Sequence, residues 1–249
     1  MSNGGAQVFI LSDLHIENSK DPMYASFLEV LNTKPTKSDV VVLAGDIFDF
    51  WVGNRDIFKN EYAAFLEALK RLKANQVQVY YIEGNHDFHL KSALSPYLNL
   101  NHRSIEFKLD DKNFFVAHGD LVNLADVGYL LLRFLFRSPL ISFLVKIVPE
   151  GFLKKLGEFL SKKSRQYNPR IRNSTRTKFR NYAVIKIQKG YDFVALGHCH
   201  DDDQMTFKIG DRTGAYANVG FPKVHKTYLY WKEGQSEFQK VKFPHFNGS

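Results

Sequence analysis

The sequence has little cysteine and no long apolar run. Cys199 is the one cysteine in 249 residues, which excludes an internal disulfide and is typical of a reducing compartment. No stretch offers the roughly 18 uncharged apolar residues that a membrane span needs. The N-terminal segment lacks the basic residues and apolar core of a signal peptide. These absences predict a globular protein of the cytoplasm.

Acidic residues are nearly missing from one part of the chain. Residues 154–189 contain twelve Lys or Arg and one acid, Glu158, so this basic segment is formally +11 although the whole chain is +8. Such a charge indicates an anionic partner: nucleic acid, phospholipid headgroups or a phosphorylated substrate. The alternative is an ordinary solvated basic face.

The first half of the chain alternates apolar strand patterns with helical ones. The runs "QVFILS", "DVVVLAGD" and "VQVYYIE" are typical of buried strands, and "DPMYASFLEVLNT" and "NEYAAFLEALKRLKAN" have helical spacing. Repeats of this kind predict an α/β fold whose parallel sheet is covered on both faces. Strand patterns return near the C-terminus in "YDFVALGHCH", "GAYANVG", "KTYLYWKEG" and "FQKVKF".

Residues 121–170 break this pattern. They are strongly apolar, have helical spacing and are interrupted at Pro139 and Pro149. The segment begins three residues after a polar strand end, at His118, so it must rise from the rim of any crevice there. We therefore predict one domain over residues 1–249, with residues 121–170 inserted as a helical lid. The alternative is that residues 128–148 form an ordinary buried helical hairpin.

Metal-ligand residue types follow five of the predicted strands. In open α/β sheets, ligands bind outside the carboxyl ends of the strands, so these loops point at a common crevice. A mixed set of carboxylates and imidazoles without a thiolate set suits Mn, Fe or Zn better than Mg or Ca. We predict two divalent ions, most readily Mn, held by Asp13, His15, Asp46, Asn85, His118, His198 and His200.

The motifs "SDLH", "GDIFD", "GNHD", "AHGD" and "GHCH" occur in this order. They resemble those of the calcineurin-like metallophosphoesterase superfamily, which implies a four-layer α/β/β/α sandwich around two metals. By this resemblance, the first metal is held by Asp13, His15, Asp46 and His200, and the second by Asp46, Asn85, His118 and His198. Asp46 would then bridge the two ions, which activate a water for attack on phosphorus.

The resemblance also assigns a catalytic role next to the metal ligands. His86 would face the substrate phosphate and neutralise or protonate it in the transition state. Asp87 or Asp49 would orient the His86 imidazole. His86 and Asp87 are therefore the predicted catalytic residues.

The lid segment resembles that of bacterial UDP-2,3-diacylglucosamine diphosphatases of lipid A biosynthesis. It contains Asp-x-x-Tyr-x-x-x-Arg, a Ser-Pro turn and Ser-x-x-x-Asn. The resemblance implies hydrolysis of a UDP-linked diacyl sugar at the α phosphorus, on the inner face of the bacterial inner membrane, by a peripheral enzyme that contacts anionic lipid. The implied substrate-binding residues are Asp126, Ser164, Asn168, Arg170 and Arg172.

Some positions depart from that family. The best-characterised members have arginine where this chain has His86, and often arginine where it has Ser161. The alternatives are a paralogous phosphodiesterase acting on another nucleotide-linked or phospholipid substrate, and a nuclease that uses the basic segment with Tyr167, Phe179 and Tyr182. Against nucleic acid, the apolar lid would have no role in a nuclease.

Overall fold

The computed structural model describes residues 5–153, 155–157 and 172–245. Two main sheets and a two-stranded ribbon make up the strands: β1 (Gln7–Leu11), β2 (Val40–Leu43), β3 (Trp51–Val52), β4 (Gln78–Ile82), β5 (Asp87–Phe88), β6 (Asn99–Asn101), β7 (Ser104–Leu109), β8 (Lys112–Ala117), β9 (Phe193–Leu196), β10 (Gln204–Ile209), β11 (Arg212–Asn218), β12 (Thr227–Lys232) and β13 (Gln239–Lys242). The helices are α1 (Pro22–Thr33), α2 (Asp56–Glu61), α3 (Ala63–Ala74), α4 (Lys91–Leu94), α5 (Val127–Phe136), α6 (Pro139–Ile147), α7 (Arg172–Gln188) and α8 (Pro222–His225).

The six-stranded sheet has the order β13-β12-β1-β2-β4-β6. Strands β1, β2, β4 and β6 are parallel, as the strand–helix repeats predict, and β12 and β13 add an antiparallel edge. Helix α1 begins as its sequence predicts, because the Asp21 side chain accepts a hydrogen bond from Met23 N and Pro22 starts the helix. The predicted helix over residues 60–75 is divided, since α2 ends at Glu61 and α3 begins at Ala63.

The five-stranded sheet has the order β10-β11-β9-β8-β7. Its centre is parallel, with β8 beside β9 and β9 beside β11. Its two edges are antiparallel pairs, β7 with β8 and β10 with β11. Helix α7, which the charge of the basic segment did not predict, covers its outer face.

Three apolar cores separate four layers. Alternate residues of β1 point to opposite faces: Phe9 and Leu11 pack under helices α1 and α3, while Val8 and Ile10 face the second sheet. Beyond that sheet, Phe115 and neighbouring side chains pack on α7. The order helix, sheet, sheet, helix confirms the predicted four-layer α/β/β/α sandwich.

The lid helices α5 and α6 rise from the loop that follows β8. Residues 158–170 of the predicted lid lie outside the described residues. Eleven of the thirteen exposed large apolar side chains in the described part of the chain belong to residues 124–152. The lid therefore presents an apolar face to solvent and is not an ordinary buried hairpin. Among residues 5–153, 155–157 and 172–245, no helix combines the length and hydropathy required to cross a bilayer.

Candidate metal centre

The predicted ligands sit on strained backbone at strand ends. Five of them have positive φ: Asp13 (55°), His15 (46°), Asp46 (52°), His198 (69°) and His200 (54°). Side chains other than glycine rarely adopt this region, and such residues cluster at functional sites. Hydrogen bonds between loops hold the conformation: Asp13 N donates to Gly45 O (3.0 Å) and His15 N to Asp46 O (3.0 Å).

One group of ligand atoms comes from the loops after β1 and β9. His15 Nε2 and His200 Nε2 lie 3.2 Å apart, and His200 Nε2 lies 3.4 Å from Asp13 Oδ1. All three side chains can direct one ligand atom at a common point. Two ligands of one ion, each bound at about 2.0–2.2 Å, are separated by about 3.0–3.5 Å. The spacing therefore fits a divalent ion.

A second group comes from the loops after β2, β4, β8 and β9. His118 Nε2 lies 3.2 Å from Asn85 Oδ1 and 3.3 Å from His198 Nδ1. Asp46 joins this group, with Oδ2 at 3.5 Å from His118 Nε2. The same oxygen lies 3.8 Å from His15 Nε2 of the first group. Asp46 thus stands between the two groups, where a bridging carboxylate would stand.

The outer contacts of these ligands direct them inward. His118 Nδ1 bonds to Ala44 O at 3.0 Å, which leaves Nε2 for the site. His198 N donates to both Asp13 oxygens (3.0 and 2.9 Å), which ties the two ligand groups together. Position 84 requires glycine because the backbone there lies close to the Asp46 side chain: a Cβ would be 2.1 Å from Asp46 Oδ1.

The charges of the site also favour a cation. Burial opposes ionisation of Asp46, but the imidazoles of His118 and His86 hold the pKa of Asp46 well below its usual range. Burial likewise disfavours a charged His118, but Asp46 and then Asp13 raise the pKa of His118 to about 10. Burial and the charge of His118 lower the pKa of His198 to about 4. His118 therefore holds a proton beside Asp46. A divalent ion bound there would replace this proton, because metal ligands bind in their deprotonated forms.

His86 lies at the edge of the first group. Its Nδ1 bonds to the Asp49 carbonyl oxygen at 2.8 Å, and its ring meets His15 edge-on with centroids 4.7 Å apart. The ligand atoms of His15, Asp49 and His86 also lie within 4.8 Å of one another. The backbone of Asp49 thus orients the imidazole, and the catalytic role of His86 stays a prediction.

Asp87 lies between the loop of Asp46 and the loop of Asn85. Its carboxylate is fully buried and accepts hydrogen bonds from the backbone N–H groups of Asp46 (3.1 Å), Ile47 (2.7 Å), Phe48 (3.4 Å) and Gly84 (2.8 Å) and from the Tyr81 hydroxyl (2.5 Å). These donors occupy both oxygens of the Asp87 carboxyl group, and its predicted catalytic role, to orient His86, stays a prediction. Asp87 thus joins the loop of Asp46 to the loop of Asn85.

A cavity of about 390 Å³ lies between the metal centre and the lid. Asn85 and His86 line it on the side of the metal centre, and Arg133 and Arg137 line it from the lid. The rest of its wall is mostly apolar: Phe50, Phe88, Tyr129, Leu132 and Phe136, with Gly84. The cavity therefore joins a polar end to an apolar wall beside the predicted ligands.

The predicted substrate-binding residues are only partly described. Asp126 caps α5, since its Oδ1 accepts from Tyr129 N at 3.0 Å. Ser164, Asn168 and Arg170 lie outside the described residues, and so does the side chain of Arg172. Their contacts with substrate stay predictions.

Much of the described basic segment has partners within the protein. Arg176 forms two hydrogen bonds with Asp201 (2.5 and 2.7 Å) and Arg180 two with Asp203 (2.9 and 2.6 Å). Lys186 lies 3.8 Å above the Phe115 ring. Phe179 is buried in the core under α7 and is not available to stack on a base. These contacts weaken the argument for a nucleic-acid surface.

Two residues of the site were missed in the sequence. Phe221 stacks on His200, with ring centroids 4.5 Å apart and planes at 3°, and Arg137 reaches from the lid to the end of β4. Phe221 follows a strand pattern, "GAYANVG", which was the available signal. No sequence signal indicated Arg137, because it ends an apolar helix more than fifty residues after the strand end that it contacts.

Comparison with known proteins gives concordant matches. A family model described as calcineurin-like phosphoesterase matches residues 6–233. A UDP-2,3-diacylglucosamine hydrolase of Psychromonas ingrahamii is 32% identical over 157 residues, which are 61% of this chain and 62%, less than two thirds, of that protein. Hydrolases of the same name from Ectopseudomonas mendocina and Pseudomonas savastanoi are 28% and 25% identical, covering 78% and 86% of this chain and 80% and 87% of those proteins.

Proposed function

Because this chain belongs to the calcineurin-like phosphoesterase family, we propose that it hydrolyses UDP-2,3-diacylglucosamine at the α phosphorus to UMP and 2,3-diacylglucosamine 1-phosphate. The chain is a metal-dependent hydrolase of phosphoric esters.

The observation that carries the substrate proposal is the cavity under the lid. Its polar end is next to Asn85 and His86, and its apolar wall includes Phe50, Leu132 and Phe136. A phosphorylated, acylated molecule needs both surfaces within a few bond lengths of each other. The relatives named UDP-2,3-diacylglucosamine hydrolase support the same substrate.

The two ligand groups would hold two divalent ions, with Mn²⁺ expected from their carboxylate and imidazole donors. When bound, two such ions would supply an activated water and Lewis acidity at the phosphate. His86, fixed through Nδ1 by the Asp49 carbonyl, would direct its other nitrogen at the phosphate or leaving oxygen. Arg133, held by the Asp120 carboxylate, would add positive charge to the lid side of the cavity.

The exposed lid supports our proposal that this is a cytoplasmic enzyme bound peripherally to the inner face of the inner membrane. Its outer face exposes Phe134, Leu140, Phe143 and Ile147. Helices with such a face lie in the interface of a bilayer, and nearby Lys and Arg add about 1 kcal/mol each on an anionic surface. The acylated substrate would reach the cavity from the same surface.

Release of UMP from UDP-2,3-diacylglucosamine in detergent micelles, compared with release from UDP-N-acetylglucosamine, tests the proposal. A buried methylene stabilises binding by about 0.8 kcal/mol, so even four of them should raise kcat/KM by about 10²-fold. Leu132→Trp, which fills the cavity, should reduce this preference. The matched control is Leu131→Trp, on the same helix, where the side chain is 59% exposed and does not line the cavity.

Equal kcat/KM for the two substrates would rule out the acyl-binding cavity. Hydrolysis of another nucleotide-linked lipid or of a phospholipid in preference to the UDP sugar would favour the paralogous phosphodiesterase instead. Because this chain has His86 where the resembled family has arginine, the other nucleotide-linked lipids and phospholipids are tested in the same assay.

A further inference from the structure

A buried glutamate closes the loop that carries Asn85 and His86. Glu83 stands at the end of β4, and its Oε1 accepts a hydrogen bond from Leu90 N at 2.7 Å. Residues 84–90 are thereby held as a closed loop between the two ends of this contact. The other oxygen, Oε2, accepts from His102 Nδ1 at 2.7 Å.

Arg137, at the end of lid helix α5, holds the same point. Its Nη1 donates to Glu83 Oε2 at 2.8 Å. Its Nη2 donates to two successive carbonyl oxygens, those of Glu83 (3.0 Å) and Gly84 (2.9 Å). The second carbonyl belongs to the peptide bond that leads into Asn85. A second contact joins the loop to α5, since His89 Nε2 bonds to Phe136 O at 2.8 Å.

The peptide that Arg137 holds has little freedom to move. Gly84 lies against the predicted bridging ligand, where a Cβ would come within 2.1 Å of Asp46 Oδ1. His86 N, on the other side of Asn85, donates to the same Asp46 oxygen at 2.9 Å. A change in the Gly84–Asn85 peptide would therefore shift both Asn85 and Asp46 relative to His118.

We infer that Arg137 is a positioning residue, which couples the lid to the metal centre by fixing the peptide before Asn85. The inference rests on the metal centre of the proposed function, but not on its substrate. Arg137 also lines the cavity beside His86, so the competing role is direct binding of substrate phosphate. Its contacts favour positioning, because both of its terminal nitrogens already donate to Glu83 and Gly84.

The experiment measures metal affinity apart from turnover. Chelator-stripped wild-type protein, Arg137→Gln and Arg137→Lys are titrated with MnCl₂ by calorimetry, and KM and kcat are then measured at saturating Mn²⁺. The matched control is Arg55→Gln, since Arg55 holds the other lid helix through the carbonyls of Val145 (3.0 Å) and Val148 (3.1 Å). The double variant Glu83→Gln with Arg137→Gln removes both charges of the pair. It replaces Arg137→Gln in the titration if that single variant fails to fold.

We expect wild type and Arg55→Gln to bind two Mn²⁺ equally well. Arg137→Gln and the double variant should bind one of the two about 10–100-fold more weakly, as for other groups that orient metal ligands. Arg137→Lys should be intermediate, because an ammonium cannot reach the carboxylate and both carbonyls together.

Unchanged Mn²⁺ affinity in Arg137→Gln would overturn the inference. A raised KM with unchanged Mn²⁺ affinity, rescued by Arg137→Lys, would instead make Arg137 a phosphate-binding residue. Fewer than two Mn²⁺ in the wild-type protein would overturn the metal centre itself, and so is distinguishable from failure of the positioning role.

Discussion

Replacing Asp87 by Asn separates a structural role from a catalytic one. The two side chains have the same shape, but the amide has one oxygen and one NH₂ group where the carboxylate has two oxygens. Asp87 Oδ1 accepts from Asp46 N and Gly84 N, and Oδ2 accepts from Ile47 N, more weakly from Phe48 N, and from the Tyr81 hydroxyl. An NH₂ group in either place therefore faces N–H donors.

The structure determines which orientation of the Asn side chain costs less. With NH₂ at the Oδ1 position, two buried N–H groups lose their acceptor. With NH₂ at the Oδ2 position, the Tyr81 hydroxyl can turn and accept, and mainly Ile47 N–H is left unsatisfied. One such buried group costs about 1–3 kcal/mol. Burial and the charge of Asp46 raise the pKa of Asp87 to about 7, so losing the charge adds no further cost. We therefore expect Asp87→Asn to lower the free energy of unfolding by about 1–3 kcal/mol.

Thermal unfolding measures this loss. For a chain of this size, about 2–4 °C are lost per kcal/mol, so Tm should fall by roughly 2–12 °C. Mn²⁺ affinity should fall with it, since Asp87 holds the backbone of Asp46, and excess Mn²⁺ should restore much of the activity. The control Tyr81→Phe removes one donor to the same carboxylate and should cost about 1–2 kcal/mol. Wild-type Tm and Mn²⁺ affinity in Asp87→Asn, with a much lower kcat, would refute the structural role and support the predicted catalytic one.

Three further predictions concern the metals, the general acid and the membrane. Asp46→Ala should abolish hydrolysis and leave at most one metal per chain by elemental analysis, with an unchanged circular dichroism spectrum. His86→Ala should keep both metals and lower kcat by about 10²–10⁴-fold; loss of metal would make His86 a ligand. Phe134→Ser with Leu140→Ser, at side chains 72% and 64% exposed, should weaken co-sedimentation with phosphatidylglycerol vesicles by about 10²-fold, whereas Ile185→Ser, at an exposed apolar position outside the lid, should not.

The sheet and the strand ends were predictable because their patterns are local. Each ligand-bearing strand is a run of mostly apolar residues with a polar ligand type within three residues of its end, as in β1 with Asp13 and β9 with His198. The rule that such loops meet at one edge of a parallel sheet then brings residues together across the chain. The structure places all seven predicted ligands in two adjoining groups. Their role as ligands stays a prediction for the metal titrations.

The net charge of the basic segment predicted neither helix α7 nor the ion pairs of its arginines. Within this segment, apolar residues at helical spacing, Phe179, Ala183 and Ile187, lie on one face of α7 and pack in the core. Two of its arginines find partners in Asp201 and Asp203, which follow the "GHCH" motif and lie outside the segment. A count of charge within a window cannot detect such pairs, so the sequence overstated the free positive charge.

Asp87 and the lid illustrate the same difference between a residue type and its surroundings. A carboxylate beside His86 in sequence invites a catalytic role, yet the backbone of residues 46–48 approaches it from another strand end and uses its oxygens. The apolar lid sequence is equally consistent with a buried hairpin and with a surface helix pair, because hydropathy does not say what a side chain faces. The lid is held from both sides, because Arg55 donates to the lid carbonyl of Val145 and Arg137 donates from the lid to the carbonyl of Glu83. A few inner apolar side chains, such as Val145, pack in the core, and the outer leucines and phenylalanines stay exposed. A lid attached in this way can keep an apolar outer face, available for the proposed membrane contact, while its inner face lines the cavity beside the metal centre.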